Sequence, residues 1–136
     1  MEMLAALGVL ALAATLVTAQ LRRPGEQAQL DQAADVLMRD VQRAQTEARR
    51  SGEPVALLLT DDGYRIDRLD LARAWPDGIA VQGRVRLASG WQPTGRVVLA
   101  GRPLAHEEAR IDLALGDELS RTVRVEPITG QVHVER

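Results

Sequence analysis

Hydrophobic and polar positions divide the chain into three stretches. Residues 3–19 carry no charge. As a helix rising about 1.5 Å per residue, that segment would span roughly 25 Å, slightly short of the ~30 Å hydrocarbon slab of a bilayer. From Leu30 the pattern becomes one-sided. Leu30, Ala33, Ala34, Leu37, Val41, Ala44 and Ala48 recur at three- and four-residue steps, which predicts one buried face of an α-helix. Asp31, Asp35, Arg39, Asp40, Arg43, Glu47 and Arg50 fall on the remaining, solvated faces. Asp35–Arg39 and Arg43–Glu47 stand at the attractive i,i+4 spacing, and Arg39–Arg43 is repulsive. Ser51-Gly52 predicts the C-cap and Pro54 the stop. Pro24-Gly25, between the two helical stretches, predicts a kink or break.

The rest of the chain reads as strands separated by turn chemistry. Apolar or alternating runs cover 54–60, 64–69, 79–87, 96–100, 109–115, 122–126 and 131–135. Asp61-Asp62-Gly63, Pro76-Asp77-Gly78 and Pro93-Thr94-Gly95 predict turns between them, and Gly83 a bulge. The last hairpin is the clearest: Val123, Val125, Val132 and Val134 share one face, Arg124 and Glu126 the other, around Pro127-Ile128-Thr129-Gly130. Six or seven strands after one helix, with no βαβ alternation, predict an α+β fold. In it a long N-terminal helix packs its stripe on an antiparallel β-sheet domain. The expected organisation is a membrane or filament-core helix segment over 1–21, its amphipathic continuation over 22–52, and a β-rich domain over 53–136.

Three readings compete for the first segment: a transmembrane anchor, a secretory signal cleaved after Val17-Thr18-Ala19, or a buried helix. Glu2 replaces the cationic start of a signal peptide. A lone domain of this size could hardly enclose a helix apolar on every face. The anchor is therefore the leading reading. Arg22 and Arg23, taken alone, would put the following chain in the cytoplasm; a cationic leader upstream of Met1 would reverse that orientation.

Composition narrows the function classes. The chain is 46% hydrophobic and 26% charged, which argues against wholesale disorder. Without cysteine there is neither a disulfide framework nor a thiolate zinc site. All 17 basic residues are arginine, so lysine-dependent Schiff-base and P-loop chemistry is excluded. A formal net charge of −2, two Trp, one Tyr and no Phe speak against a nucleic-acid partner. His106, beside Glu107 and Glu108, matches no metal motif, and His133 falls on the polar face of the last hairpin. Ser51, Ser89 and Ser120 lack a nucleophile elbow. Asp61-Asp62 reads as turn chemistry, and Trp75 and Trp91 as core plugs or loop anchors. No catalytic residue, cofactor or metal site is predicted, and the chain is expected not to be an enzyme. Glu2 is the anomaly: an acid at the edge of a membrane segment is costly unless interfacial or paired, for example with a neighbouring subunit's amino terminus.

Residues 2–11, Glu2-Met3-Leu4-Ala5-Ala6-Leu7-Gly8-Val9-Leu10-Ala11, resemble the start of a type IV pilin-like protein, in which a glutamate near the mature N terminus precedes an apolar helix. The run VRVEPITGQVHVE resembles the C-terminal hairpin of the H-type minor pseudopilins of the type II secretion system. LMRDVQRAQTEARRSGEPVALLL is similar to their junction between helix and first strand. The resemblance implies a structural subunit of the pseudopilus, active in protein export across the outer membrane. It would sit in the inner membrane through a single pass, with its β domain in the periplasm. Its partners would be other pseudopilin subunits at the filament tip and secreted cargo. Glu2 would neutralise a neighbour's N-terminal amine during assembly. Leu4, Leu7, Leu10 and Leu16 would pack between helices, with Gly8 allowing close approach. The family's basic leader and cleavage Gly would lie upstream of Met1; with such a leader, the prepilin peptidase and N-methylation follow. Two alternatives remain. A minor type IV pilin for adhesion or DNA uptake would need a focused arginine surface, for which Arg121, Arg124 and Arg136 are candidates countered by Glu118, Glu126 and Glu135. The other alternative is a periplasmic binding module cleaved after Ala19.

Overall fold

The computed structural model describes residues 2–100, 108–127 and 129–136, with side chains described from Gly25 onward. The first element is one helix, α1 (Glu2–Ser51), of 50 residues. It continues through Pro24-Gly25, so the break predicted there does not interrupt it. Its end falls where the cap residues put it: Gly52 takes φ 73° and its N–H bonds Ala48 O at 3.0 Å. Glycine takes that left-handed conformation without the backbone strain of about 1–2 kcal/mol that a Cβ adds.

Among the described residues nine strands follow: β1 (Val55–Leu59), β2 (Gly63–Ile66), β3 (Leu71–Ala74), β4 (Ile79–Leu87), β5 (Gly90–Thr94), β6 (Arg96–Leu99), β7 (Ala109–Leu115), β8 (Leu119–Val125) and β9 (Val132–Glu135). They form two antiparallel sheets instead of the single sheet expected, a four-stranded one ordered β3-β2-β1-β6 and a five-stranded one ordered β5-β4-β7-β8-β9. The α+β class holds.

Two strands depart from the sequence pattern. β3 follows a turn that contains neither Gly nor Pro; Arg68 and Asp70 take positive φ there instead. β5 contains Pro93, which reads as a turn residue. Proline is tolerated because β5 is an edge strand, with no ladder partner on one side among the described residues.

α1 lies across the seam between the sheets, packing on β1 and β6 of one and on β7, β8 and β9 of the other. Leu30, Ala34, Leu37, Val41, Ala44 and Ala48 are all completely buried. They meet Val55, Leu57, Ile66, Val97 and Leu99 from the four-stranded sheet and Ile111, Leu113, Val123 and Val125 from the five-stranded one. Burying each of the larger aliphatic side chains is worth about 1.5–3 kcal/mol relative to exposure, an upper range because the unfolded chain already hides some surface.

Gly83 is not a bulge. It pairs regularly with Thr94 and Ile111. A Cβ at Gly83 would come within 2.6 Å of both Leu59 Cδ1 and Thr94 O. The position demands glycine because β1 and β4 approach closely where the sheets meet.

Candidate functional site

Polar ties fasten the helix to the sheets at three heights. The deepest centres on Asp40, which the helical pattern placed on a solvated face. It is 2% exposed. Tyr64 and Arg73 face each other in the β2–β3 ladder, so both side chains project from the same side of the sheet. Asp40 accepts a hydrogen bond from Tyr64 Oη at 2.5 Å, one from Arg73 Nε, and one from Arg73 Nη2 at 3.2 Å. The carboxylate is thus buried but paired and bonded, the condition under which burial of charge is tolerated. Burial, and then the bond to the Asp40 carboxylate, pushes the Tyr64 hydroxyl above its ordinary range. The hydrogen bond to Asp40, then its charge, raises Arg73.

Trp75 packs its ring 4.8 Å from Tyr64 and donates from Nε1 to Thr60 O at 3.0 Å, which makes it the core plug expected of it. Beside this cluster a groove of about 590 Å³ runs between α1 and β3, flanked by Gln29, Gln32, Val36, Arg73 and Pro76.

Two further ties lie above and below. Asp31 accepts from Arg121 Nε at 2.6 Å, joining the helix to β8. Gln45 is 5% exposed, and its Nε2 donates to Gly130 O at 2.6 Å, joining the helix to the last turn. Sequence pattern missed Gln45 because nothing local distinguishes a buried glutamine from a solvated one.

The other face of the five-stranded sheet is uncovered among the described residues and carries the charges. The registers align Arg84, Arg110, Arg124 and His133 in one cross-strand row, and Gln82, Asp112, Thr122 and Glu135 in the next. Arg124 bonds Glu108 at 3.0 Å and Glu135 at 3.3 Å, and those hydrogen bonds raise its pKa above the usual value. Arg86 reaches Glu108 at 3.2 Å, and Arg84 stands 3.7 Å from Asp112. Arg110 instead lies over the Trp91 ring, 4.8 Å from its centroid. Trp91 is therefore neither a core plug nor a loop anchor; it sits on edge strand β5 as the platform for an arginine. Sequence spacing does not show this, since Pro93-Thr94-Gly95 has the chemistry of a turn and hides the strand that carries Trp91.

The remaining expectations can be placed plainly. Asp61 and Asp62 are exposed at the β1–β2 turn, as their turn chemistry predicts. His133 stands 3.7 Å from the Glu126 carboxylate. Ser51 caps the chain after the helix, its Oγ accepting from Glu53 N at 3.3 Å. Glu47 pairs with Arg50 at 2.8 Å, three residues on. The focused arginine surface imagined for DNA uptake is largely neutralised: Arg121 is tied to Asp31, and Arg124 to Glu108 and Glu135. His106 lies outside the described residues, as do the side chains of Glu2, Leu4, Leu7, Gly8, Leu10 and Leu16. Among the described residues, no helix is long and apolar enough to cross a membrane, and no three His, Asp or Glu side chains group to hold a metal ion.

Set beside known proteins, the chain matches no family model, no curated protein and no solved structure.

Proposed function

We propose that this chain is a minor pseudopilin of the H type, a non-catalytic subunit of the type II secretion pseudopilus. The observation that carries the reading is the division of labour along α1. The described packing of the helix on the sheets begins at Leu30, while the same helix starts at Glu2 with a run free of charge. A rod that shares one half with a β domain and offers an apolar other half suits a subunit held in the inner membrane and later bundled with sister helices. In that role Leu4, Leu7, Leu10 and Leu16 make the helix contacts, Gly8 lets backbones approach, and Glu2 pairs with a neighbour's N-terminal amine. The β domain lies in the periplasm and meets neighbouring subunits or cargo.

The chain has no cysteine, so introduced thiols are unique reporters. Leu7→Cys and Leu10→Cys should form crosslinks with helices of other pseudopilins in inner-membrane fractions, and Glu2→Ala should reduce them. A native protein that begins at Gln20, partitions to the soluble periplasm and forms no such crosslinks would overturn the proposal.

A further inference from the structure

Among the described residues, β3 and β6 edge one sheet, and β5 and β9 the other. An open edge is a template for another strand, and proteins blunt such edges. β5 carries Pro93, β6 runs beside β4, and β9 lies against α1. Among the described residues β3 has none of these devices. Its hydrogen-bonding phase follows from the residue after it. Trp75 N–H donates to Asp62 O at 2.9 Å, in register with Gly63 opposite Ala74. Bonded and non-bonded pairs alternate along an antiparallel ladder. Leu71 and Arg73 therefore bond β2, while Ala72 and Ala74 turn their N–H and C=O groups to the open side. Both carry only a methyl group and are exposed, so nothing bulky guards the edge. Beside it runs the groove of about 590 Å³ against α1, lined by Arg73 with its side chain 43% exposed.

We propose that the β3 edge accepts an extended segment of a partner protein, which adds a strand antiparallel to β3 and drops alternate side chains into the groove. Ala72 and Ala74 supply the main-chain bonds. The residue opposite Arg73 is an uncharged acceptor, because Asp40 already balances the guanidinium. The residues two places to either side are aliphatic, because Leu71 and Trp75 flank Arg73 on the same side of β3. A second copy of β3 does not fit. The register that uses both outward residues sets Arg73 against Arg73, and like charges directly opposite repel. A shift of two residues brings an outward residue against Asp70, which takes φ 49°, or against Pro76, which has no N–H. The inference concerns the β domain alone and stands whether or not the pseudopilin reading holds.

The test uses the full chain, isotope-labelled in a neutral detergent, with NMR detection of backbone amides and their hydrogen exchange. The probe is the peptide acetyl-Val-Ser-Thr-Ser-Val-amide at millimolar concentration. Laid along β3 with its threonine opposite Arg73, it bonds Ala72 and Ala74 through its two serines and turns the other N–H groups away. The Ala72 and Ala74 amides should shift saturably and exchange about fivefold more slowly, while those of Leu71 and Arg73, already bonded to β2, hold their rates. N-methylating both serines should weaken binding by about tenfold or more, and N-methylating the threonine alone should leave it within about twofold. Ala72→Pro removes an outward N–H without touching the β2 ladder and should abolish the response. Should that variant disturb the fold, the two N-methylated peptides still decide the matter. Shifts that fail to saturate, equal binding of the two N-methylated peptides, or Ala72 and Ala74 signals that move with protein concentration alone would each reject the proposal.

Discussion

Tyr64 makes the alkaline limb of the stability curve a direct report on the Asp40 cluster. It is the chain's one tyrosine, and the chain has neither lysine nor cysteine. No other side chain titrates between about pH 9 and pH 11.5. In the folded protein, burial and the Asp40 carboxylate hold the Tyr64 proton on well above its ordinary value of 10.0. The unfolded chain sheds that proton near pH 10 and the folded one keeps it, so the unfolded state binds fewer protons and stability falls as pH rises. The contribution is complete below about pH 10. The loss approaches ~1.4 kcal/mol per pH unit above it, or about 2 kcal/mol by pH 11.5. Tyr64→Phe removes both the titration and the 2.5 Å bond to Asp40. At pH 8 the variant should be less stable by about 1.5–3 kcal/mol, the range for a hydrogen bond to a charged group. Its stability should then stay level through the alkaline range, so that the two curves converge near pH 11.5. Urea unfolding of the full chain in neutral detergent, followed by tryptophan fluorescence, measures both, since Trp75 lies 4.8 Å from Tyr64. An alkaline loss of equal size in Tyr64→Phe would refute the reasoning.

Other substitutions test separate parts of the packing. Leu37→Ala empties a fully buried position under the helix and should cost about 2–5 kcal/mol in the same urea titration. Gly83→Ala forces a Cβ against Thr94 O and Leu59 Cδ1, both at 2.6 Å, and should cost about 1–3 kcal/mol, seen as a lower melting temperature. Gln45→Ala removes the bond to Gly130 O and should cost about 1–2 kcal/mol, with faster hydrogen exchange concentrated in β9. A double-mutant cycle on Asp31 and Arg121, partly exposed, should give a coupling below about 1 kcal/mol despite the 2.6 Å contact.

What sequence pattern could show was whatever repeats along the chain. The stripe from Leu30 to Ala48 was legible because burial on one side of a helix recurs every three or four residues. β4 and β7 were legible to the residue because apolar and polar side chains alternate cleanly along both. What it could not show depended on a partner distant in sequence. Asp40 looks like any solvated acid until β2 and β3 bring Tyr64 and Arg73 against it. β3 hid behind a turn built on Arg68 and Asp70 in left-handed conformations, residues that do not advertise a turn. The role of Trp91 is hidden in the sequence because Pro93 disguises an edge strand, and the arginine that covers it lies 19 positions away across two ladders.

The same distant pairs settle a question the apolar stripe leaves open. Alanine and leucine surfaces that slide past one another lose little contact, so a stripe alone specifies that the helix packs, not where along its axis it stops. Asp40 supplies the stop. A slip of one turn would carry it about 5.4 Å from both donors and leave a buried carboxylate unpaired, a penalty of about 3–5 kcal/mol. Asp31 and Gln45 repeat the constraint nine residues before and five after, against β8 and against the turn following it. With three anchors on different elements, the axial position and the roll of α1 are determined relative to both sheets. In the filament proposed for this chain, packing of the first half of the helix would then dictate where the β3 edge points. The buried polar residues of the second half are what transmit that orientation.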